Sequence, residues 1–266
     1  MMGGLGSSWA PWMTIGGAAD ARDPLRGPDE GPWVSCVLLT THPKRSHLLG
    51  DALLSYQLQT YPWRELIVVS DGDPLVAGRD DVTVVNLPSG TSIGAKRNAG
   101  LAAARGTYLA TWDDDDFSMP ERLARQVEVA RHGASLVRSR CMWIADERFR
   151  LVDKIANFAG PTALIHAPSA RRAGGYPDKS YGEDLALYLS FLLGHHHTVS
   201  LDETFYVMRR HDTNVSTRLA SESLDTLRRR AVASDDLART QARLDALLTT
   251  PRAPLLTPPL RPPSGH

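Results

Sequence analysis

The chain has 266 residues, with 30 Lys plus Arg against 30 Asp plus Glu and a formal net charge of zero. That balance excludes a chain-wide basic field for nucleic acid, and the two cysteines, Cys36 and Cys141, provide neither a disulfide framework nor a zinc site. The two unpaired cysteines fit an expected reducing, cytoplasmic setting, and no stretch approaches the roughly 20 apolar residues that span a bilayer.

Residues 1–32 are rich in Gly, Ala, Pro and Asp, carry Trp9 and Trp12 in isolation, and lack the basic start and apolar middle of a signal peptide. They are expected to form a disordered leader. Val34 to Thr40 is an aliphatic, β-branched run of buried-strand length, with Cys36 inside it as a buried thiol. From Pro43, the residues Leu48, Ala52, Leu53 and Tyr56 fall at helical spacing, and Tyr61-Pro62 stops that helix. Glu65 to Ser70 is a second strand, ended by the turn sequence Asp71-Gly72-Asp73-Pro74. Val82 to Leu87 is a third. Ser92 to Arg105 is a helix that carries Gly94, Lys96 and Arg97 near its start, followed by a strand over Thr107–Trp112 and a helix over Met119–His132.

Strands of continuous apolar character alternating with helices predict an α/β domain whose central sheet is mostly parallel and covered by helices on both faces. Ligands in such sheets bind outside the carboxyl ends of the strands. Thr40, Asp71 and the run Asp113-Asp114-Asp115-Asp116 all fall at such ends, so they are expected to converge. Four carboxylates at one strand end are costly unless a cation compensates them. The economical partner is Mg²⁺ or Mn²⁺ carrying a phosphorylated substrate, which points to an enzyme acting on a nucleotide diphosphate compound. The alternative is an acidic start for the helix after Ser118, favoured by the helix dipole.

The second half is less regular. Ala134 to Ile144 and Phe149 to Lys154 are expected as strands, in a hairpin around Ala145–Arg148, with a further short strand at Thr162–His166. Gly174-Gly175-Tyr176-Pro177 is a turn, and a helix over Asp184–Leu193 begins at Gly182-Glu183-Asp184. His195-His196-His197 is a surface turn, because successive side chains of an extended segment alternate faces. Leu219 to Leu248 is a long charged helix with a partial leucine stripe, able to pair with its counterpart in a homodimer or to pack back on the domain. Thr249 to His266 is Pro-rich and expected to be unstructured.

The order Gln59–Asp73, Gly94-Ala95-Lys96-Arg97-Asn98-Ala99-Gly100, the acidic run with Pro120, and Gly174-Gly175-Tyr176 followed by Gly182-Glu183-Asp184 resembles the family 2 glycosyltransferases, which have the Rossmann-like GT-A fold. Each piece is weak alone; four in order over Val34 to Ser216 are specific. The implied organisation is a leader (1–32), a GT-A domain (33–216), a helical extension (217–249) and a tail (250–266). The sequence departs from the family at Ser70-Asp71-Gly72-Asp73, where two acids, Gly and Ser are usual. It also lacks the Gln-x-x-Arg-Trp motif and membrane helices of processive synthases, so one sugar is expected to move at a time.

What the resemblance implies is a metal-dependent, inverting transfer from a nucleotide sugar, UDP-sugar by default, to a hydroxyl of a saccharide, a lipid-linked glycan or a small molecule. Spacing to Pro120 favours Asp113 and Asp115 as the metal-binding pair, with Asp116 beside them and His211 as a further ligand or phosphate contact. Thr40 and Asp71 are expected at the base or ribose, and Arg97 and Lys96 near the diphosphate, aided by free N–H groups at the helix start around Gly94. Asp184 is the expected general base, with Glu183 adjacent. Trp112 and Trp143 are either sugar-stacking or core residues. Competing expectations are a non-catalytic scaffold on the same fold and a sugar-1-phosphate nucleotidyltransferase, the latter disfavoured because Thr40–Arg45 has no Gly.

Overall fold

The computed structural model describes residues 31–156, 160–211 and 235–257. The elements in order are β1 (Val34–His42), α1 (Ser46–Gln57), β2 (Arg64–Gly72), β3 (Val76–Ala77), β4 (Val82–Leu87), α2 (Ile93–Ala103), β5 (Tyr108–Asp113), β6 (Phe117–Ser118) and α3 (Arg122–Ala130). There follow β7 (Leu136–Ser139), β8 (Cys141–Ala145), β9 (Leu151–Ala156), β10 (Leu164–His166), α4 (Ala167–Arg172), α5 (Glu183–Leu193), β11 (Thr198–Leu201), β12 (Tyr206–Arg209), α6 (Asp235–Leu248) and β13 (Leu256–Thr257).

Alternation along the central strands builds two cores. Val34, Cys36 and Leu38 of β1, with Leu66 and Val68 of β2, pack against Leu49, Ala52 and Tyr56 of α1 and Leu123 and Val127 of α3. Their neighbours Val37, Leu39, Ile67 and Val69 face Leu101 of α2 and Leu187 and Phe191 of α5 on the opposite side. Full burial of each such side chain contributes about 1.5–3 kcal/mol, which fixes the register, since a one-residue slip would exchange the two faces. The seven-stranded sheet has the order β11-β7-β10-β5-β1-β2-β4. Only β10 runs antiparallel to its neighbours. This is the expected mixed α/β architecture with a mostly parallel sheet.

Four expectations change. Strand β2 runs through Asp71 and Gly72, so the turn starts two residues later than its sequence suggests. The single strand expected over Ala134–Ile144 is two, separated at Arg140: β7 joins the large sheet and β8 a second sheet of order β6-β12-β8-β9. The hairpin of β8 and β9 forms as expected. The helix expected over 219–248 is described only as α6, and residues 212–234 lie outside the described residues. Leu244 of α6 is fully buried against Trp143, Phe149 and Val207, so its apolar side is used within the chain, as the packing-back alternative had it. The tail is the fourth. Residues 251–257 return along α1, where Arg252 donates to Asp51 (2.6 Å), Leu255 is buried in the core and β13 pairs with β3. The leader, residues 1–30, and residues 258–266 lie outside the described residues.

Candidate active site

Parallel register places the chemistry-bearing residues side by side. Thr41 pairs with Asp71 across β1 and β2, and Leu39 with Asp113 across β1 and β5. Their carboxyl ends open into a cleft of about 720 Å³, within the range that holds cofactor-sized ligands. Thr40, Asp71, Lys96, Arg97, the four aspartates, Glu183 and Asp184 all line it.

The aspartate run divides by side-chain direction. Asp114 turns in, accepting from Thr40 Oγ1 (2.7 Å) and from Arg45 Nε and Nη2 (2.8 and 2.7 Å). Asp116 also turns in, accepting from Tyr206 Oη (2.7 Å) and the Arg209 N–H (2.8 Å). Asp113 is the most open, its side chain 26% exposed, and Tyr206 Oη reaches it at 3.0 Å. Asp115 Oδ2 accepts from Arg45 Nη2 (2.6 Å) and meets His211 Nε2 at 3.0 Å.

Burial sets the protonation pattern, modified by neighbours. It pushes Asp116 well above the usual carboxylate range, and the charges of Asp115 and Asp113 push the same way. Burial also raises Asp113, against the attraction of Arg97. At Asp115 burial is outweighed by the hydrogen bond from His211 and by Arg45, which leave its carboxyl below the usual range. At Asp71 burial is likewise outweighed, by Lys96 Nζ (2.6 Å), Thr41 Oγ1 (2.7 Å) and the Gly90 N–H (3.0 Å).

Arg97 joins the strand ends to the far wall. Its Nε donates to Glu183 Oε1 (3.0 Å), and its Nη2 lies 3.7 Å from Asp113. Nη1 is buried and has no hydrogen-bond partner among the described residues. Glu183, expected beside the base, is thereby paired with Arg97. Asp184 Oδ1 accepts its neighbour's Leu185 N–H (2.7 Å). Its Oδ2 rests on Gly160, where a Cβ would stand 1.9 Å away and φ is +70°, so the carboxylate fits there only because that residue is glycine.

Two further expectations give way, and the core alternative for the tryptophans holds. The first-turn N–H groups of α2 are occupied: Ile93 by Ser180 Oγ (3.3 Å), Gly94 by Lys179 O (2.9 Å) and Ala95 by the N-cap Ser92 Oγ (3.0 Å). The helix start therefore offers no free anion seat. Asp116, expected among the metal ligands, has both oxygens engaged by β12. Trp112 is buried with Nε1 on Ala52 O and Ser55 Oγ, and Trp143 is buried too; neither lines the cleft. The cysteines stay reduced, and burial raises the Cys36 thiol to about 12. Among the described residues no group of three or more His, Cys, Asp or Glu side chains is arranged to hold a metal ion, and Arg45 Nη2 bridges Asp114 and Asp115. Sequence reasoning gave no role to Arg45 or to Tyr206, and Tyr206 reaches Asp113 across 93 positions.

Comparison with known proteins gives the same architecture. The putative glycosyltransferase EpsE of Bacillus subtilis is 26% identical over 224 residues, 74% of this chain and 80% of its own. The uncharacterized glycosyltransferase YwdF of the same organism is 33% identical over 106 residues, 36% of this chain. The chain spans only 39% of the length of YwdF. Among solved structures, S. aureus TarS 1–349 in complex with UDP-GlcNAc superposes with a TM-score of 0.55 at 16% identity, covering 81% of this chain and 66% of that one. The mannosyltransferase PcManGT of Pyrobaculum calidifontis, in complex with GDP-Man and Mn²⁺, gives 0.55 at 18% identity over 83% and 71%. These likenesses show the GT-A fold. No helix among the described residues is long and apolar enough to cross a membrane. The family model for glycosyl transferase family 2 matches residues 36–177, more than half of the sequence, and the chain belongs to that family.

Proposed function

We propose that the chain transfers a single sugar from a nucleotide-diphosphate sugar, UDP-sugar by default, to an acceptor hydroxyl with inversion, assisted by Mg²⁺ or Mn²⁺. The observation that carries this reading is the convergence, in one cleft, of strand-end acids, a buried Arg97 with an unused N–H, and a carboxylate at Asp184. TarS with its UDP-GlcNAc and PcManGT with its GDP-Man and Mn²⁺ support the donor class and the cation.

The donor set fits a hard cation in chemistry, since Asp113 and Asp115 offer carboxylate oxygens and His211 adjoins Asp115. Occupation requires Arg45 to release Asp115. When bound, the cation would neutralise the departing diphosphate. The chain's own groups do the rest. Arg97 Nη1 donates to a phosphate oxygen, Thr40 and Asp71 contact the nucleoside, and Asp184 takes the proton of the acceptor hydroxyl. The new bond forms between that oxygen and the anomeric carbon as the bond to the diphosphate oxygen breaks on the opposite side.

Arg45 seated on the acids is the one observation favouring the scaffold reading. Thermal stabilisation by UDP, GDP and dTDP with Mn²⁺, followed by donor hydrolysis over a panel of nucleotide sugars, separates the two. A shift with one nucleotide and hydrolysis of its sugar are expected. No shift with any of them refutes the transferase.

A further inference from the structure

Seven carboxylates line the cleft against three cationic side chains. Each of the three is paired there: Arg45 with Asp114 and Asp115, Lys96 with Asp71, and Arg97 with Glu183. Burial raises Asp113, Asp114 and Asp116, yet with all three protonated the remaining acids still outnumber the cations. A divalent cation and the diphosphate of a donor offset each other, so a loaded donor side leaves the sign of the cleft unchanged. Arg138, which shares a separate small cavity with Asp184, is stacked on Tyr188 and does not line the cleft.

The wall around Asp184 has a different chemistry. Tyr181, 65% exposed, and Leu185, 43% exposed, bracket the stretch Gly182-Glu183-Asp184 and line the cleft together with Met142, Pro161 and Met208. Met142 of β8 and Met208 of β12 lie on the face of the second sheet opposite to Trp143 and Val207, since successive side chains of a strand alternate. Pro161 follows Gly160, the residue against which Asp184 Oδ2 rests. A carboxylate is thus set in an apolar surround that includes one exposed aromatic ring.

We propose that this wall is the acceptor subsite and that it takes a sugar ring bearing no negative charge, seated with its C–H face on Tyr181 and its hydroxyl rim toward Asp184. The inference rests on the transferase reading. Three observations select that ligand. A phosphate or carboxylate on the acceptor would meet the excess of negative charge, with the three cations of the cleft already engaged. The C–H groups of a pyranose carry partial positive charge and suit the electron-rich face of a tyrosine, while Leu185, Met142 and Met208 add apolar contact. An apolar alcohol would fill the wall but bring a single hydroxyl to a cleft that Asp113 and Asp184 both line, whereas the rim of a sugar offers several donors.

The test offers the wild type the nucleotide sugar that it hydrolyses, together with the methyl glycosides of glucose, galactose, mannose and N-acetylglucosamine, their 6-phosphates, and benzyl alcohol. Transfer to at least one neutral glycoside is expected, with kcat/KM about tenfold or more above that of its 6-phosphate. Tyr181→Ala is expected to raise KM for that glycoside about three- to tenfold, with the melting temperature and the nucleotide-induced thermal shift unchanged, and Tyr181→Phe to keep the wild-type KM. A 6-phosphate or benzyl alcohol accepting as well as the neutral glycoside, or a KM indifferent to Tyr181→Ala, would overturn the proposal and leave the transferase standing. Donor hydrolysis with transfer to no neutral glycoside would overturn it with donor cleavage intact. Neither a nucleotide shift nor hydrolysis of any nucleotide sugar would remove the transferase along with it.

Discussion

Asp71 and Asp114 on the strand-end wall of the cleft and Asp184 on the facing wall are treated in opposite ways. On the strand-end wall, Asp71 is tied to Lys96 at 2.6 Å and Asp114 to Arg45 at 2.7 Å. On the facing wall, the only hydrogen bond to the Asp184 side chain among the described residues comes from the next residue's N–H. Ion pairing holds geometry but uses up lone pairs. A group that must receive a proton needs one free. On the transferase reading proposed above, the strand ends would hold the ligand still and Asp184 on the other side would react.

The hardest way to break this contrast is Asp184→Asn. Transfer is expected to fall by about 10²- to 10⁴-fold, with nucleotide affinity by calorimetry unchanged; retained turnover would place the base elsewhere. Next in size is Lys96→Met, which leaves Asp71 buried without its cation and is expected to cost about 3 kcal/mol of stability. Asp71 titrates below its ordinary 3.8, so its stabilisation is present above that value and is lost as pH falls through the lower folded value. Melting curves of variant and wild type should therefore converge in acid; a gap that persists at pH 2 would mean that Lys96 acts through packing instead.

The smallest effect sharpens the contrast from within the aspartate run. Asp116 titrates well above 3.8, so ionising it opposes folding as pH rises past 3.8. Asp116→Asn is expected to raise the melting temperature by about 2–4 °C at neutral pH without divalent cations, and to have no effect near pH 3. A lower melting temperature at neutral pH would show that Tyr206 and Arg209 hold the ionised form after all.

The strand-end wall was legible in the sequence because each strand is a continuous apolar run closed by turn residues. The observed β2 and β5 extend at most two residues beyond their expected carboxyl ends. The switch between β7 and β8 was not legible, since both runs are apolar and period alone says nothing about which sheet a strand joins. Glu183 was readable in principle. It lies four and eight positions before the buried Leu187 and Phe191, so helical spacing already put it on the buried side of the helix, where Arg97 meets it. Arg45 and Tyr206 carried no local signal, because their partners are chosen by the fold.

Helix α2 and the stretch 176–180 are clasped by a set of short bonds. Asn98 exchanges two hydrogen bonds with the Tyr176 backbone, at 2.7 and 2.8 Å. Gly94 donates to Lys179 O, and a methyl group on Gly94 would stand 1.9 Å from Pro177 O. Grafting a foreign loop in place of 176–180 would therefore succeed only with the matching helix attached, because the two are packed as one interchangeable part.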